Sequence, residues 1–338
     1  MRLAPLPALA FAALPAWAEP PQVVTDIAPV QSLVAAVMDG VGYPALILEG
    51  GGDPHNVNLR PSQARAISDA DLVIWVGPAL TPWLEDALPR LAPETAVLTL
   101  SDLEGLEVIE IGEDGHGMEA DHDDHGDEDH AEDDDHDHDD HAEEAGHDDH
   151  DHESGDDHAE EADHAHSHAG GIDPHLWLSV ENAALWADVI AETLGEADAE
   201  NAATYRANAA ALIAEIAATD ANVRARLAPH AGQPYFTDHD ALAYVARHYD
   251  LTVIAAPGAH EAVRLSASDI GDLRARIAEA GARCLVTGPA GDEGLAAVLS
   301  DAPVVHVRID PLGTVGMDYP TLIEGIGASL ETCLSGAS

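Results

Sequence analysis

The alternation of apolar and polar positions divides the chain into two series of short apolar runs and amphipathic segments. A long stretch with no apolar pattern interrupts them. In the first series the runs at 23–25, 45–48, 71–76 and 96–100 are short, and they predict strands. Residues 29–38, 61–70 and 82–91 carry apolar side chains at helical spacing; Gly40 ends the first of these and Pro61 opens the second. The second series repeats the plan, with strands expected at 235–237, 252–255, 284–287 and 304–309. Its helices are expected at 241–249, 268–280, 292–299 and 319–334. Strand and helix in alternation predict a parallel sheet with helices on its faces. Between the series, 180–194 reads as an amphipathic helix. Residues 200–227 are rich in Ala and free of Pro and Gly, which predicts one straight helix about 40 Å long at about 1.5 Å per residue. The expected fold class is therefore α/β, with two parallel-sheet domains joined by one long rigid helix. A single helix resists hinging more than a pair of loops, so only a small cleft closure is expected.

Charge changes the picture most between residues 113 and 168. This tract holds 14 of the 21 His and 27 of the 64 acidic residues, and neither Lys nor Arg. It lacks the apolar surface to offset the entropy of ordering, so it is expected to be a disordered loop. A solvated acidic spacer has no need of His at this density. Imidazole and carboxylate are ligands of divalent first-row metals. Weak, exchangeable metal contacts are therefore expected from His116, His122, His125, His130, His136, His138, His141, His147, His150, His152, His158, His164, His166 and His168. Outside the tract, 37 acidic residues (64 less 27) still face 13 Arg, and the chain has no Lys. Nucleic acid and anionic membrane surfaces are unsuitable partners for such a field, whereas a cation suits it.

The N-terminus has the form of an export signal. Arg2 precedes a short apolar run at 6–14, and Ala16-Trp17-Ala18 offers a small-x-small cleavage site. The mature protein is then expected outside the cytoplasm, in the periplasm. The expected layout is a signal peptide at 1–18, an N-terminal α/β domain at 19–112 and the His/Asp/Glu-rich loop at 113–170. The chain returns to the first domain at 171–199, forms the linker helix at 200–228 and ends in a C-terminal α/β domain at 229–338. Cys284 and Cys333 are the two cysteines. Export to an oxidising compartment favours a bridge between them over two separate buried thiols.

Asp53-Pro54-His55 and Asp173-Pro174-His175 repeat one tripeptide on either side of the tract. His55 follows the second expected strand, His239 follows the first strand of the second series, and Asp310 follows the last. Ligands of parallel sheets bind in the crevice beyond the carboxyl ends of the strands. His55, His175, His239 and Asp310 are thus candidate ligands of one ion, a donor set that completes a tetrahedral zinc shell. Three nitrogens favour zinc over manganese. Asp53 and Asp173 suit the part of carboxylates that orient an imidazole, or of helix caps. His230, His248, His260 and His306 lack comparable company; of these, His260 is the best placed for a secondary site.

Gly-Gly-Asp-Pro-His-x-x-x-Leu-Arg-Pro-Ser, Asp-Pro-His-Leu-Trp-Leu, Tyr-Phe-x-x-His-Asp-Ala and Ile-Asp-Pro-Leu-Gly occur in this order. Together with the His-rich insert, they resemble the zinc-binding periplasmic solute-binding proteins of ABC importers, the ZnuA type. The resemblance runs from about residue 23 to 334. It implies zinc in a cleft between two α/β domains, held by His55, His175 and His239. The fourth position varies between a carboxylate and water. The residue before the first His, which is Glu in some members, is Pro54 here, and the aromatic that commonly follows His-Asp-Ala is Leu242 here. A late cysteine pair present in some members matches Cys284 and Cys333.

The function this implies is capture of Zn²⁺ and its delivery to a membrane permease served by a separate ATPase. A chain without Lys cannot carry a lysine-bearing phosphate loop of its own. The tract would aid zinc acquisition or sensing, periplasmic zinc chaperones are candidate donors, and a monomer is expected. The alternatives are a periplasmic zinc buffer or chaperone, a manganese-binding protein, and a zinc hydrolase. The hydrolase is disfavoured because no His-Glu-x-x-His occurs and Asp310 would have to leave the shell to act as base. No enzymatic role is expected.

Overall fold

The inner strands of the two sheets carry buried side chains on both faces, as a sheet covered by helices on both sides requires. In the first lobe Val23, Leu72 and Ile74 enter the main core, while Val24, Val73 and Trp75 point to an outer layer with Ile67, Leu84 and Leu88. In the second lobe Tyr235, Cys284 and Val286 face the main core, while Phe236, Ile254 and Leu285 face an outer layer with Leu273 and Ile277.

The computed structural model describes residues 20–49, 54–111, 171–237, 239–255, 267–289, 291 and 304–336. Elements are numbered in chain order among these. The first sheet contains β1 (Val23–Thr25), β2 (Ala45–Leu46), β3 (Leu72–Trp75) and β4 (Ala96–Thr99), in the order β2-β1-β3-β4. All its pairings are parallel, with Val24 beside Ala45 and Val73, and Val73 beside Val97. The second contains β5 (Pro234–Thr237), β6 (Thr252–Ala255), β7 (Cys284–Thr287) and β8 (Val305–Arg308), in the order β6-β5-β7-β8. It too is parallel, with Phe236 beside Ile254 and Leu285. The two lobes thus repeat one topology. The helices of the first are α1 (Ala28–Val37), α2 (Pro61–Ser68) and α3 (Pro82–Leu91); α4 (Val180–Ala197) and α5 (Ala202–Leu227) follow. The second has α6 (Ala243–His248), α7 (Ala267–Ala280) and α8 (Tyr319–Leu334).

These elements answer the expected ones closely, with ends displaced by a few residues. The second strand is shorter than its apolar run. The sixth helix begins at Ala243, after the buried pair Ala241 and Leu242. The expected helix at 292–299 lies outside the described residues, as do the export segment, the His-rich tract, Asp53 and His260.

The long helix α5 has 26 residues. Its buried positions are Tyr205, Ala209, Leu212, Ile216, Thr219, Val223 and Leu227. Steps of three and four keep them on one stripe. Asp198 turns the chain from α4 into α5, accepting from Asn201 Nδ2 at 2.7 Å and Tyr205 Oη at 2.9 Å. α8 packs on α5 where Gly327 meets Val223: a β-carbon at Gly327 would lie 2.7 Å from a Val223 methyl. Arg226 and Glu331 join the same helices at 2.6 Å. The main core is continuous through both lobes, from Val23 and Ile27 through Leu212 and Val223 to Tyr235 and Ile326. Cys284 and Cys333 form a disulfide that ties α8 to β7.

Candidate metal centre

Three histidines far apart in sequence meet where loops leave the carboxyl ends of the strands. His55 lies in a turn beyond β2. The turn is held from α3 by the Trp83 indole, which donates to the Pro54 carbonyl at 2.7 Å. Gln63 anchors the segment that follows, donating to the Ile47 carbonyl at 2.6 Å and accepting from the Arg60 N–H at 2.7 Å.

His175 arrives on a strap. Residues 109–111 run antiparallel to 171–173, with Ile111 N–H donating to the Gly171 carbonyl and Asp173 N–H to the Ile109 carbonyl, both at 2.8 Å. The carboxylate of Asp173 is fully buried. Its Oδ1 accepts from the His175 backbone N–H at 2.8 Å and lies 2.7 Å from His175 Nδ1. An Nδ1–H held in this way leaves the lone pair on Nε2, the atom then turned to a ligand. The second lobe supports the strap through Tyr244, whose hydroxyl donates to the Asp173 carbonyl at 3.0 Å and accepts from Ile109 N–H at 3.2 Å.

His239 follows β5 in a turn closed by Thr237. The threonine hydroxyl donates to the His239 carbonyl at 2.8 Å and accepts its N–H at 3.2 Å. The ring centroid of His175 is 5.5 Å from that of His239 and 6.3 Å from that of His55, edge to face in both pairs. Two imidazoles sharing a tetrahedral zinc at about 2.1 Å have centroids about 5.3 Å apart. The first pair is near that spacing, and the second is about 1 Å wider. Among the described residues, no set of three or more His, Cys, Asp or Glu forms a ready-made ion site. The rings are neighbours whose nitrogens have still to converge.

Asp310 follows β8. Its Oδ1 accepts from Leu312 N–H at 3.0 Å and its carbonyl from Gly313 N–H at 3.1 Å. Gly313 turns the loop at a φ of +64°, where a side chain is strained. Partial burial raises the Asp310 carboxyl above the usual carboxylate range. The loop meets the His175 strap through Trp177, whose indole donates to the Pro311 carbonyl at 2.8 Å. Asp240 is also buried, and burial, reinforced by the charge of Asp173, pushes it up to about 7.

The other described histidines are engaged elsewhere. His248 bridges Asp220 at 2.7 Å and Glu181 at 3.2 Å. His306 contacts Thr287 at 2.9 Å, and His230 contacts Gln233 at 3.3 Å. Reading the sequence for ligands alone passed over Trp83, Trp177, Asp240 and Tyr244. Trp177 and Asp240 carried a signal, since each stands inside a quoted motif within two residues of a candidate histidine.

Two parallel-sheet α/β lobes of one topology, sharing a core along a long helix, define a two-lobed binding-protein fold. The family model for the periplasmic zinc-uptake complex component A, ZnuA, matches residues 23–333, and the chain belongs to that family. It is similar to the high-affinity zinc uptake system protein ZnuA of Paracoccus denitrificans, 42% identical over 334 residues, covering 97% of this chain and 96% of that one. The ZnuA of Brucella suis is 38% identical over 318 residues, covering 93% and 91%. Among solved structures, a zinc-bound ZnuA with residues 138–173 deleted superposes with a TM-score of 0.68 at 19% identity, covering 93% of this chain and 98% of that one. At that identity the likeness speaks for the fold alone.

Proposed function

We propose that this chain captures Zn²⁺ in the periplasm and hands it to the membrane permease of an ABC importer driven by a separate ATPase. High-affinity zinc uptake is the role named for relatives that match it over nearly their whole length. The observation that carries the reading to particular residues is the meeting of three imidazoles, His55, His175 and His239, from both lobes. With Asp310 they supply three nitrogens and one oxygen, a zinc-type shell. The ion is cargo, and no bond is made or broken in it, so the reading includes no enzymatic step. The exported mature chain acts as a monomer. It receives zinc from solution or from periplasmic chaperones, and the tract at 113–170 gathers zinc weakly.

Calorimetry on the mature protein tests this reading. One tight zinc event is expected together with weaker ones, and deletion of residues 113–168 should remove only the weak events. The strap supports this design, since the tract leaves and re-enters beside the paired residues Glu110 and Ile172. Absence of a tight event in the truncated protein would overturn the cleft assignment.

A further inference from the structure

We infer that Trp177 is a positioning residue that sets the fourth zinc ligand, by fixing the Asp310 loop of one lobe against the His175 strap of the other. This rests on the reading of Asp310 as a ligand.

The contacts are specific to this side chain. Trp177 is completely buried. Its ring centroid lies 5.3 Å from that of His175. Its indole N–H donates to the carbonyl of Pro311, the residue after Asp310, across 134 positions of sequence. Its own carbonyl accepts from the Tyr319 hydroxyl at 2.8 Å, so α8 of the second lobe grips the same residue from its backbone side. One rigid aromatic therefore touches the imidazole of one proposed ligand and the peptide that carries another. Within the loop, Asp310 also holds Leu312 and Gly313. The hydrogen bond from Trp177 fixes where that turn lies relative to His175. Without it, the carboxylate gives way to water at the fourth position, and the shell keeps its three nitrogens.

The test compares Trp177→Phe, Asp310→Ala and the double variant in the otherwise intact protein. Readouts are zinc affinity, by competition with a chelator, and the visible spectrum of the Co²⁺-loaded protein. Phenylalanine keeps an aromatic ring against His175 and removes the donor together with part of the buried ring volume. Trp177→Phe is expected to bind zinc about 10- to 100-fold more weakly, the range for lost outer partners of metal ligands, and Asp310→Ala, which removes the ligand itself, at least as weakly. The double variant should be within about threefold of Asp310→Ala. The cobalt bands of Trp177→Phe should match those of Asp310→Ala and differ from those of the wild type. A merely loosened fold with an intact shell would leave the bands unchanged. Wild-type affinity and spectrum in Trp177→Phe, with Asp310→Ala still impaired, overturns the role of Trp177 alone. Wild-type behaviour of Asp310→Ala removes the carboxylate from the shell and the inference with it. Should Trp177→Phe not fold, Gly313→Ala perturbs the same turn from its far side, where a β-carbon lies 3.2 Å from Leu322 and Met317. It is expected to give the Asp310→Ala spectrum, and a wild-type spectrum would overturn the inference.

Discussion

At the scale of single residues, the candidate site has a buried carboxylate behind one of its imidazoles. Asp173 sets both the tautomer and the orientation of His175. Asp173→Ala is expected to weaken zinc binding by about 10- to 100-fold, and Asp173→Asn, which still offers an acceptor, by less. Equal affinities across this series, measured by chelator competition, would assign Asp173 a purely structural role. Asp26 makes a different prediction. It is fully buried at the end of β1, where it accepts from the N–H groups of Val76 and Ile27 at 2.9 and 2.8 Å. Burial outweighs these bonds and pushes it up to about 7. Its folded value lies above its unfolded value, so its contribution to stability is complete below about pH 4 and is lost as pH rises towards 7. A shift of this size corresponds to roughly 4 kcal/mol. Denaturant titrations from pH 4 to 7 should show that slope in the wild type and a flatter one in Asp26→Asn. Parallel curves would count against it. The candidate ligands themselves were legible as residues because Asp-Pro-His occurs twice and His239 follows a strand. The part of Trp177 was not, because it depends on a carbonyl 134 positions away.

At the scale of elements, local pattern identified most strands and helices. The stripe on α5 and the apolar runs of β3 and β7 declare themselves within a few turns of chain. The sheet order does not. Strands buried on both faces read as uniform apolar runs, and nothing in such a run tells β1 that its neighbours are β2 and β3. The three-residue turn Leu176–Leu178 was likewise hidden, since three apolar residues in a row have no period. The pairing of the two cysteines was legible, and here it closes a loop with a sequence separation of 49. Replacing both by Ala should cost about 4 kcal/mol in the chain-entropy account, read as a lower unfolding midpoint. An unchanged midpoint would mean that the packing of α8 on α5 already holds the C-terminal helix.

At the scale of the whole molecule, both lobes are built into one apolar core along α4, α5 and α8. Residue contacts bind them further, through Tyr244 on the strap, Trp177 on Pro311 and Tyr319 on Trp177. Such a frame suits a site that closes by side-chain movement of about 1 Å rather than by a wide hinge. Narrowing the His55–His175 spacing from 6.3 Å by about 1 Å would bring that pair to the separation of two imidazoles on one zinc. The repeated topology explains why three histidines so distant in sequence become neighbours. Each lobe delivers its loops at the carboxyl edge of its sheet, and the shared core sets those edges together. The most direct measurement is anomalous scattering at the zinc edge from crystals of the zinc-loaded protein. The account predicts one dominant peak about 2.0–2.2 Å from Nε2 of His175, a ring nitrogen of His55 and of His239, and a carboxylate oxygen of Asp310. A dominant peak bound elsewhere, with those three rings still apart, would contradict it.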